Sequence, residues 1–180
     1  MKQSDIEFSQ YFTRIAPKVL KLATRMTWDV ATAEDVTAEA LARTYAHWNK
    51  VRHFSYRDAW VMKTAGNIAI DLARHHNRSA HPRVSLSYFD VIDSASRNAL
   101  EHDPVGATVA DFRTLADGIS ILPPRQREAI YLHHLGELTV AETAAVMGLR
   151  PESVRTHLAR GLATLRDRMR PQPMDQPAHV

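Results

Sequence analysis

The sequence predicts an all-α protein built as two small helical domains joined by a flexible linker. A helical bundle is expected over residues 5–78 and a helix-turn-helix unit over residues 111–170, with a linker at 79–110 and a disordered tail at 171–180. Apolar residues recur every three or four positions through both expected domains, and no alternating β-branched run reaches strand length. Between the two, composition shifts to Ser, Ala, Asp, His and Pro, and Asp90, Asp93, Glu101 and Asp103 make the middle acidic. Such a stretch suits a linker with at most a short helix. The tail carries three prolines and no periodicity.

Each element has its own justification. Residues 5–27 place Phe8, Tyr11, Phe12, Ile15, Val19, Leu22 and Met26 near one helical stripe. Pro17 should kink or divide that helix, leaving a second one at 18–27. Trp28 and Asp29 form a connection. Thr32 is the expected N-cap of a helix over 33–48, with Glu34 and Asp35 in its first turn, where negative charge suits the dipole. Val36, Ala40, Leu41, Thr44 and Trp48 can face inward. Asp35, Glu39 and Arg43 follow at four-residue steps on the outside. Charge pattern alone reads them as an ordinary exposed helix pair.

A polar stretch, 49–57, leads to a helix over 58–76. Its expected buried stripe is Trp60, Val61, Thr64, Ala65, Ile68 and Leu72; its outer face holds Lys63, Asn67, Ile70, Asp71 and Arg74. Lys and Arg can meet phosphates there and Asn can read a base. The preceding loop mixes Arg52, His53, Phe54, Tyr56 and Arg57. Charge plus stacking plates suits unstacked single-stranded bases, although a mixed surface loop with a ring or two turned inward fits equally well.

The second domain begins near Asp111. Leu122-Pro123-Pro124 stops one helix and starts the next, which Gly136 ends. Thr139 and Glu142 then form a T-x-x-E capping box, so a helix starts near Val140 with Val140, Ala144 and Met147 on its apolar face. Gly148 marks a left-handed stop, and Pro151 fits the first position of a second helix. In that helix Val154, Leu158, Leu162, Leu165 and Met169 should face the core, while Ser153, Thr156 and Arg160 point away, flanked by Arg155 and Arg166. Short helices joined by a tight turn, with a basic outer face on the second, make a helix-turn-helix whose arginines can reach guanine edges in duplex DNA.

Composition narrows the classes. The chain has no cysteine, which excludes disulfides and thiolate metal sites. No apolar run reaches the length of a membrane span, and MKQSDIEFSQ lacks a signal-peptide core, so a cytoplasmic protein without membrane insertion is expected. The net charge of +3 and pI of about 9.4 are compatible with nucleic acid. Ten histidines invite a metal or catalytic reading. Adjacent pairs such as His75-His76 and His133-His134 diverge on a helix, however, and HExxH, a phosphate-binding glycine loop and a cysteine nucleophile are all missing. Neither catalysis, nor a metal, cofactor or small-molecule substrate, is expected.

Three blocks taken in order resemble a known family. AEDVTAEALARTYAHW at 33–48, RDAWVMKTAGNIAIDLAR at 57–74 and LPPRQREAIYLHHLGELTVAETAAVMGLRPESVRTHLARGLATLR at 122–166 are together similar to bacterial sigma factors of RNA polymerase. The likeness is to the sigma-70 family's extracytoplasmic-function (ECF) group, which keeps only the second and fourth conserved regions. It implies that the helix with Asp35, Glu39, Arg43 and Trp48 docks on the clamp helices of the polymerase β′ subunit, with the β subunit also a partner. It implies that Arg52, Phe54, Tyr56 and Arg57, with Lys63, Asn67, Asp71 and Arg74, melt and read the −10 element as single strand, where the family captures a flipped base. Ser153, Arg155, Thr156 and Arg160 match the positions that read the −35 element as duplex. An anti-sigma partner is implied as well. Two places depart from the pattern: Ala38 stands where a glutamine is usual, and Trp28-Asp29 where Gly-Asp is usual. A stand-alone helix-turn-helix regulator acting on duplex DNA is the alternative.

Overall fold

The computed structural model describes residues 3–78, 115 and 118–169, with residues 74–78 described by backbone alone. The expected linker at 79–110, the start of the second domain at Asp111 and the tail at 171–180 lie outside the described residues. All regular structure among the described residues is helical.

Helix α1 (Gln3–Thr27) runs unbroken through Pro17, against the expected division. Proline removes one backbone bond from the helix. Here Ile15, Val19, Leu22 and Ala23 are buried on both sides of it, and their packing on neighbouring helices keeps the turn in line. The stripe Tyr11, Ile15, Val19, Leu22 is buried as spaced, but Phe12 is 44% exposed because one residue's step rotates it off that line. Trp28 then takes a left-handed backbone, φ 53°, and its N–H donates to the Thr24 carbonyl at 2.9 Å. Glycine would adopt that conformation without strain, so the departure at Trp28 carries a local cost of about 1–2 kcal/mol.

Asp29, not Thr32, caps helix α2 (Val30–Ala46): its carboxylate accepts from the Thr32 backbone N–H at 2.8 Å and from the Thr32 hydroxyl. The helix therefore starts three residues before the expected position 33. Val36, Ala40, Leu41 and Thr44 are buried against α1 as anticipated, and the Thr44 hydroxyl donates to the Ala40 carbonyl at 2.7 Å, which satisfies it inside the core. The stretch expected to be irregular contains a short helix, α3 (Trp48–Val51), before α4 (Arg57–Arg78). Helices α1, α2 and α4 pack on one another around one core.

The second unit opens with a helical turn at 118–121, then α5 (Pro124–Ile130) with proline in its first turn. Arg127 is 8% exposed, and its guanidinium donates to the carbonyls of Ile119 at 3.2 Å and Leu122 at 2.7 Å, tying the turn to α5. Helix α5 continues into a π-helical segment, Tyr131–Leu135, that periodicity did not foretell. Helix α6 (Val140–Met147) carries the full capping box and ends in Gly148 at φ 65°. Helix α7 (Pro151–Arg168) buries Val154, Leu158, Gly161 and Leu165. Leu162 and Met169 are instead 38% and 43% exposed. Gly161 takes the core position because a Cβ there would lie 3.0 Å from Ile130 Cγ1, so a bare backbone is what lets α7 close on α5. The second unit rests on the first, the π-helical segment touching α1 and α4, and α6 touching α4.

Candidate nucleic-acid interface

The loop between α3 and α4 forms a basic-aromatic rim. Phe54 and Tyr56 stack on one another, ring centroids 5.2 Å apart and planes 16° from parallel. Arg52 donates to Glu7 at 2.8 Å on one side, and Arg57 donates to the Arg52 carbonyl at 3.3 Å across the loop. Behind the rim, the Arg14 guanidinium donates to both Asp58 oxygens, at 2.8 and 3.0 Å. Arg14 and Arg57 both lie over the Tyr11 ring, at 5.2 and 5.6 Å from its centroid. Burial, with the Asp58 charge, pushes the Tyr11 hydroxyl far up, so it stays neutral. Burial would raise the Asp58 carboxyl too, but the Arg14 bonds outweigh it and hold that group below the usual carboxylate range.

The rim borders an open cleft of about 510 Å³. Arg52, Phe54, Tyr56 and Arg57, expected from sequence, all line it, together with Arg14 and Asp58, which were not. Cations beside stacked rings can hold a nucleic-acid backbone and an unstacked base at once. Arg14 escaped notice because it sits on the outer face of α1, where an arginine is unremarkable; only the fold brings it to a loop some forty residues away. Glu142, from α6, stands at the same cleft.

Along α4 the face expected to follow a strand is already in use. Lys63 Nζ lies 2.8 Å from Glu128 Oε1 and donates to the Val146 carbonyl at 3.0 Å. Asn67 is exposed, and its side-chain oxygen accepts from the Tyr131 hydroxyl at 3.1 Å. Asp71 is exposed one turn on; the side chain of Arg74 lies outside the described ones.

The helix-turn-helix presents the opposite condition. Arg155, Thr156 and Arg160 are exposed on α7 and Ser153 is half-buried at its start. Arg155 reaches Glu152 of its own helix at 3.5 Å, and the Thr156 hydroxyl donates to the Glu152 carbonyl at 3.0 Å. On α2, Asp35, Glu39 and Arg43 are exposed, with Arg43 Nε donating to Glu39 Oε1 at 2.7 Å. Trp48 stands apart from them. It is 5% exposed and packed on Phe8 and Tyr11 of α1, at 5.2 and 5.0 Å between rings, so it belongs to the core and not to that exposed line.

A bundle with a basic-aromatic rim, followed by a helix-turn-helix with a basic outer face, defines a helical DNA-binding protein. Comparison with known proteins makes that specific. Residues 11–79 match the family model "Sigma-70 region 2" and residues 113–165 match "Sigma-70, region 4". RNA polymerase sigma-E factor of Streptomyces avermitilis is 28% identical over 170 residues, covering 94% of this chain and 89% of that one. ECF RNA polymerase sigma factor SigM of Bacillus subtilis is 28% identical over 148 residues, covering 82% and 86%. The fold resembles the sigma factor RpoE in its complex with the anti-sigma factor NepR from Bartonella quintana, at a TM-score of 0.57 and 20% identity, over 94% of this chain and 99% of that one. It also resembles CnrH in complex with the cytosolic domain of CnrY, at 0.56 and 20%, over 89% and 85%. The chain belongs to the sigma-70 family of RNA polymerase sigma factors, in its ECF group. The region 2 match over the first unit decides against a stand-alone helix-turn-helix regulator. Among the described residues no helix is long and apolar enough to cross a membrane.

Proposed function

We propose that this sigma factor divides its work as follows. The first unit, 5–78, binds core polymerase through the α2 face of Asp35, Glu39 and Arg43, with Trp48 in the core rather than on that face. Its cleft of Arg52, Phe54, Tyr56 and Arg57 captures the unpaired non-template strand of the −10 element. Lys63, Asn67, Asp71 and Arg74 extend that track along α4, the cations meeting phosphates and Asn67 a base edge. The second unit, 111–170, reads the −35 element as duplex through Ser153, Arg155, Thr156 and Arg160. The protein performs no chemistry of its own, needs no cofactor, and acts in the cytoplasm by binding polymerase and promoter DNA together. An anti-sigma protein is a further partner, a reading supported by the RpoE structure above, which was solved in complex with the anti-sigma factor NepR.

The observation that carries this reading is the order of the two matched regions along one chain, with a basic-aromatic cleft in the first and an open basic helix face in the second. The deciding experiment is binding of the purified chain to bacterial core RNA polymerase, with and without Glu39→Arg and Arg43→Glu. Tight binding that either reversal weakens by roughly tenfold or more is the expected result, because like charges set against a charged partner surface cost up to several kcal/mol, and about 1.4 kcal/mol is already tenfold. No binding to core, alongside duplex binding by the chain alone, would overturn it.

A further inference from the structure

A second cavity adjoins the cleft on the side of α1. It holds about 600 Å³, within the ~300–1,000 Å³ usual for small-ligand sites. Arg14, Arg52 and Arg57 line both spaces, which makes them a shared wall. The second cavity is also lined by Tyr11 and Trp48, each only 5% exposed. Trp48 Nε1 and the Tyr11 hydroxyl are buried without a hydrogen-bond partner. The Asp58 carboxylate lies near enough to act on the Tyr11 hydroxyl. Nothing among the described residues takes the Trp48 N–H. A buried donor left open costs free energy, and native proteins leave few of them. Two such atoms in one cavity, beside three guanidiniums, point to a ligand that carries both acceptors and negative charge.

A nucleotide has both. Its base edge offers carbonyl and ring-nitrogen acceptors, and its phosphate suits a guanidinium. Guanidinium planes also serve as stacking plates for unstacked bases. The shared wall is held ready for the phosphate. Asp58 fixes the Arg14 guanidinium through both carboxylate oxygens, and the Arg52 carbonyl holds Arg57. Each keeps further N–H donors of its fork for another acceptor. We propose that the second cavity takes a second nucleotide of the non-template strand, next to the one captured at Phe54 and Tyr56. Arg14 and Arg57 then clamp the phosphate that joins the two. The proposal rests on the reading of the cleft as the −10 single-strand site. It makes Arg14 a DNA contact and gives Tyr11 and Trp48 a part in base selection, although helical spacing assigns both rings to the core. Sequence preference would extend over two adjacent unpaired positions, each set by its own cavity.

The test uses holoenzyme assembled from the full chain and excess core polymerase, with a pool of random single-stranded oligodeoxynucleotides carried through selection. The expected result is base bias at two adjacent positions. Trp48→Phe keeps a ring to pack on Phe8 and Tyr11 but removes the N–H. It should lower the bias at one position by roughly fivefold, about what one hydrogen bond contributes, and leave the other position as it was. Tyr11→Phe should act on the same position in the same direction, which guards against a folding defect in Trp48→Phe. Arg14→Gln should weaken all sequences alike and lower the slope of log affinity against log salt by about 0.7, the share of one phosphate on a single strand. Arg14→Lys, which keeps the charge, should restore that slope. Bias at one position alone overturns the second cavity and leaves the −10 reading standing. So do two positions that neither Trp48→Phe nor Tyr11→Phe moves. An unchanged salt slope in Arg14→Gln overturns the phosphate clamp. Displacement of the selected strand by free nucleoside monophosphates as well as by unlabelled strand, at equal base concentration, would assign the cavity to free nucleotides and overturn the proposal. No bias at any position in the unaltered holoenzyme would show that the −10 reading has failed, and the second cavity with it.

Discussion

Arg160 lies two turns into α7, exposed, on the face turned away from the buried line of Val154, Leu158 and Leu165. A guanidinium there can make a fork of two bonds to a guanine edge, and such a pair discriminates among bases by about 1–3 kcal/mol. Arg160→Ala is therefore expected to relax selectivity at one position of the −35 element by that amount, measured as the ratio of transcription from matched and singly substituted promoters. A uniform loss across all substituted promoters would make Arg160 a phosphate contact instead. The exposure of Arg160 was legible in the sequence because helical spacing alone sets it opposite the core. Arg14 and Asp58 were not legible. They stand 44 positions apart on different helices, and neither has a local pattern that marks it. Trp48, by contrast, was legible in part: helical spacing sets it facing inward, and the aromatic cluster of Phe8 and Tyr11 is where it packs.

At the level of elements, the helix-turn-helix was read almost to the residue, because its boundaries are set by local chemistry. The Thr139 hydroxyl accepts from the Glu142 N–H at 3.2 Å, and the Glu142 carboxylate accepts from the Thr139 N–H at 2.8 Å. Those bonds satisfy donors that the first turn of α6 would otherwise leave open. Thr139→Ala should cost about 1 kcal/mol of stability in the second unit, read as a lower urea midpoint for the full chain with an unchanged slope. An unaltered midpoint would mean that packing of Ala144 and Met147 alone holds α6. Where local signals mislead, tertiary contacts have overridden them. Pro17 is carried through α1 by buried neighbours on both sides, and the cap of α2 moved from Thr32 to Asp29 because a carboxylate reaches both the backbone N–H and the hydroxyl of Thr32. The π-helical segment has no sequence signature of its own. It sets Tyr131 against Gly66 and brings Leu135 toward Arg25, so its shape answers to a contact with the other unit.

Across the whole molecule, the contact between the two units combines an apolar part, Tyr131 against Gly66, with charged parts that differ in exposure. The Glu137 carboxyl is held below its ordinary range chiefly by the Lys21 bond; burial works against this, and the Arg25 bond and the two cationic charges add to it. Its pKa is therefore lower in the docked arrangement than in the separated one. A group depressed in this sense stabilises docking fully above its separated-state value, about 4.3 for an ordinary glutamate, and loses that contribution as pH falls through the docked value beneath it. The pairs are largely exposed, so the contribution is at most about 1 kcal/mol. Acid should loosen the contact without abolishing it, since the Tyr131 packing does not titrate in this range. With spin labels on Ala46→Cys and Ala159→Cys, both exposed positions in a chain without cysteine, the expected result is a distance distribution that broadens between pH 5 and pH 3.5 in the otherwise unaltered chain. In Glu137→Gln it should already be broadened at pH 7 and change little on acidification, while far-UV circular dichroism shows the helices intact in both. High salt should reproduce part of the effect at neutral pH, because a Debye length of about 3 Å at 1 M screens exposed pairs. Equal acid broadening in the unaltered chain and in Glu137→Gln would take Glu137 out of the contact's energetics and leave Glu128, or the apolar packing, to account for it.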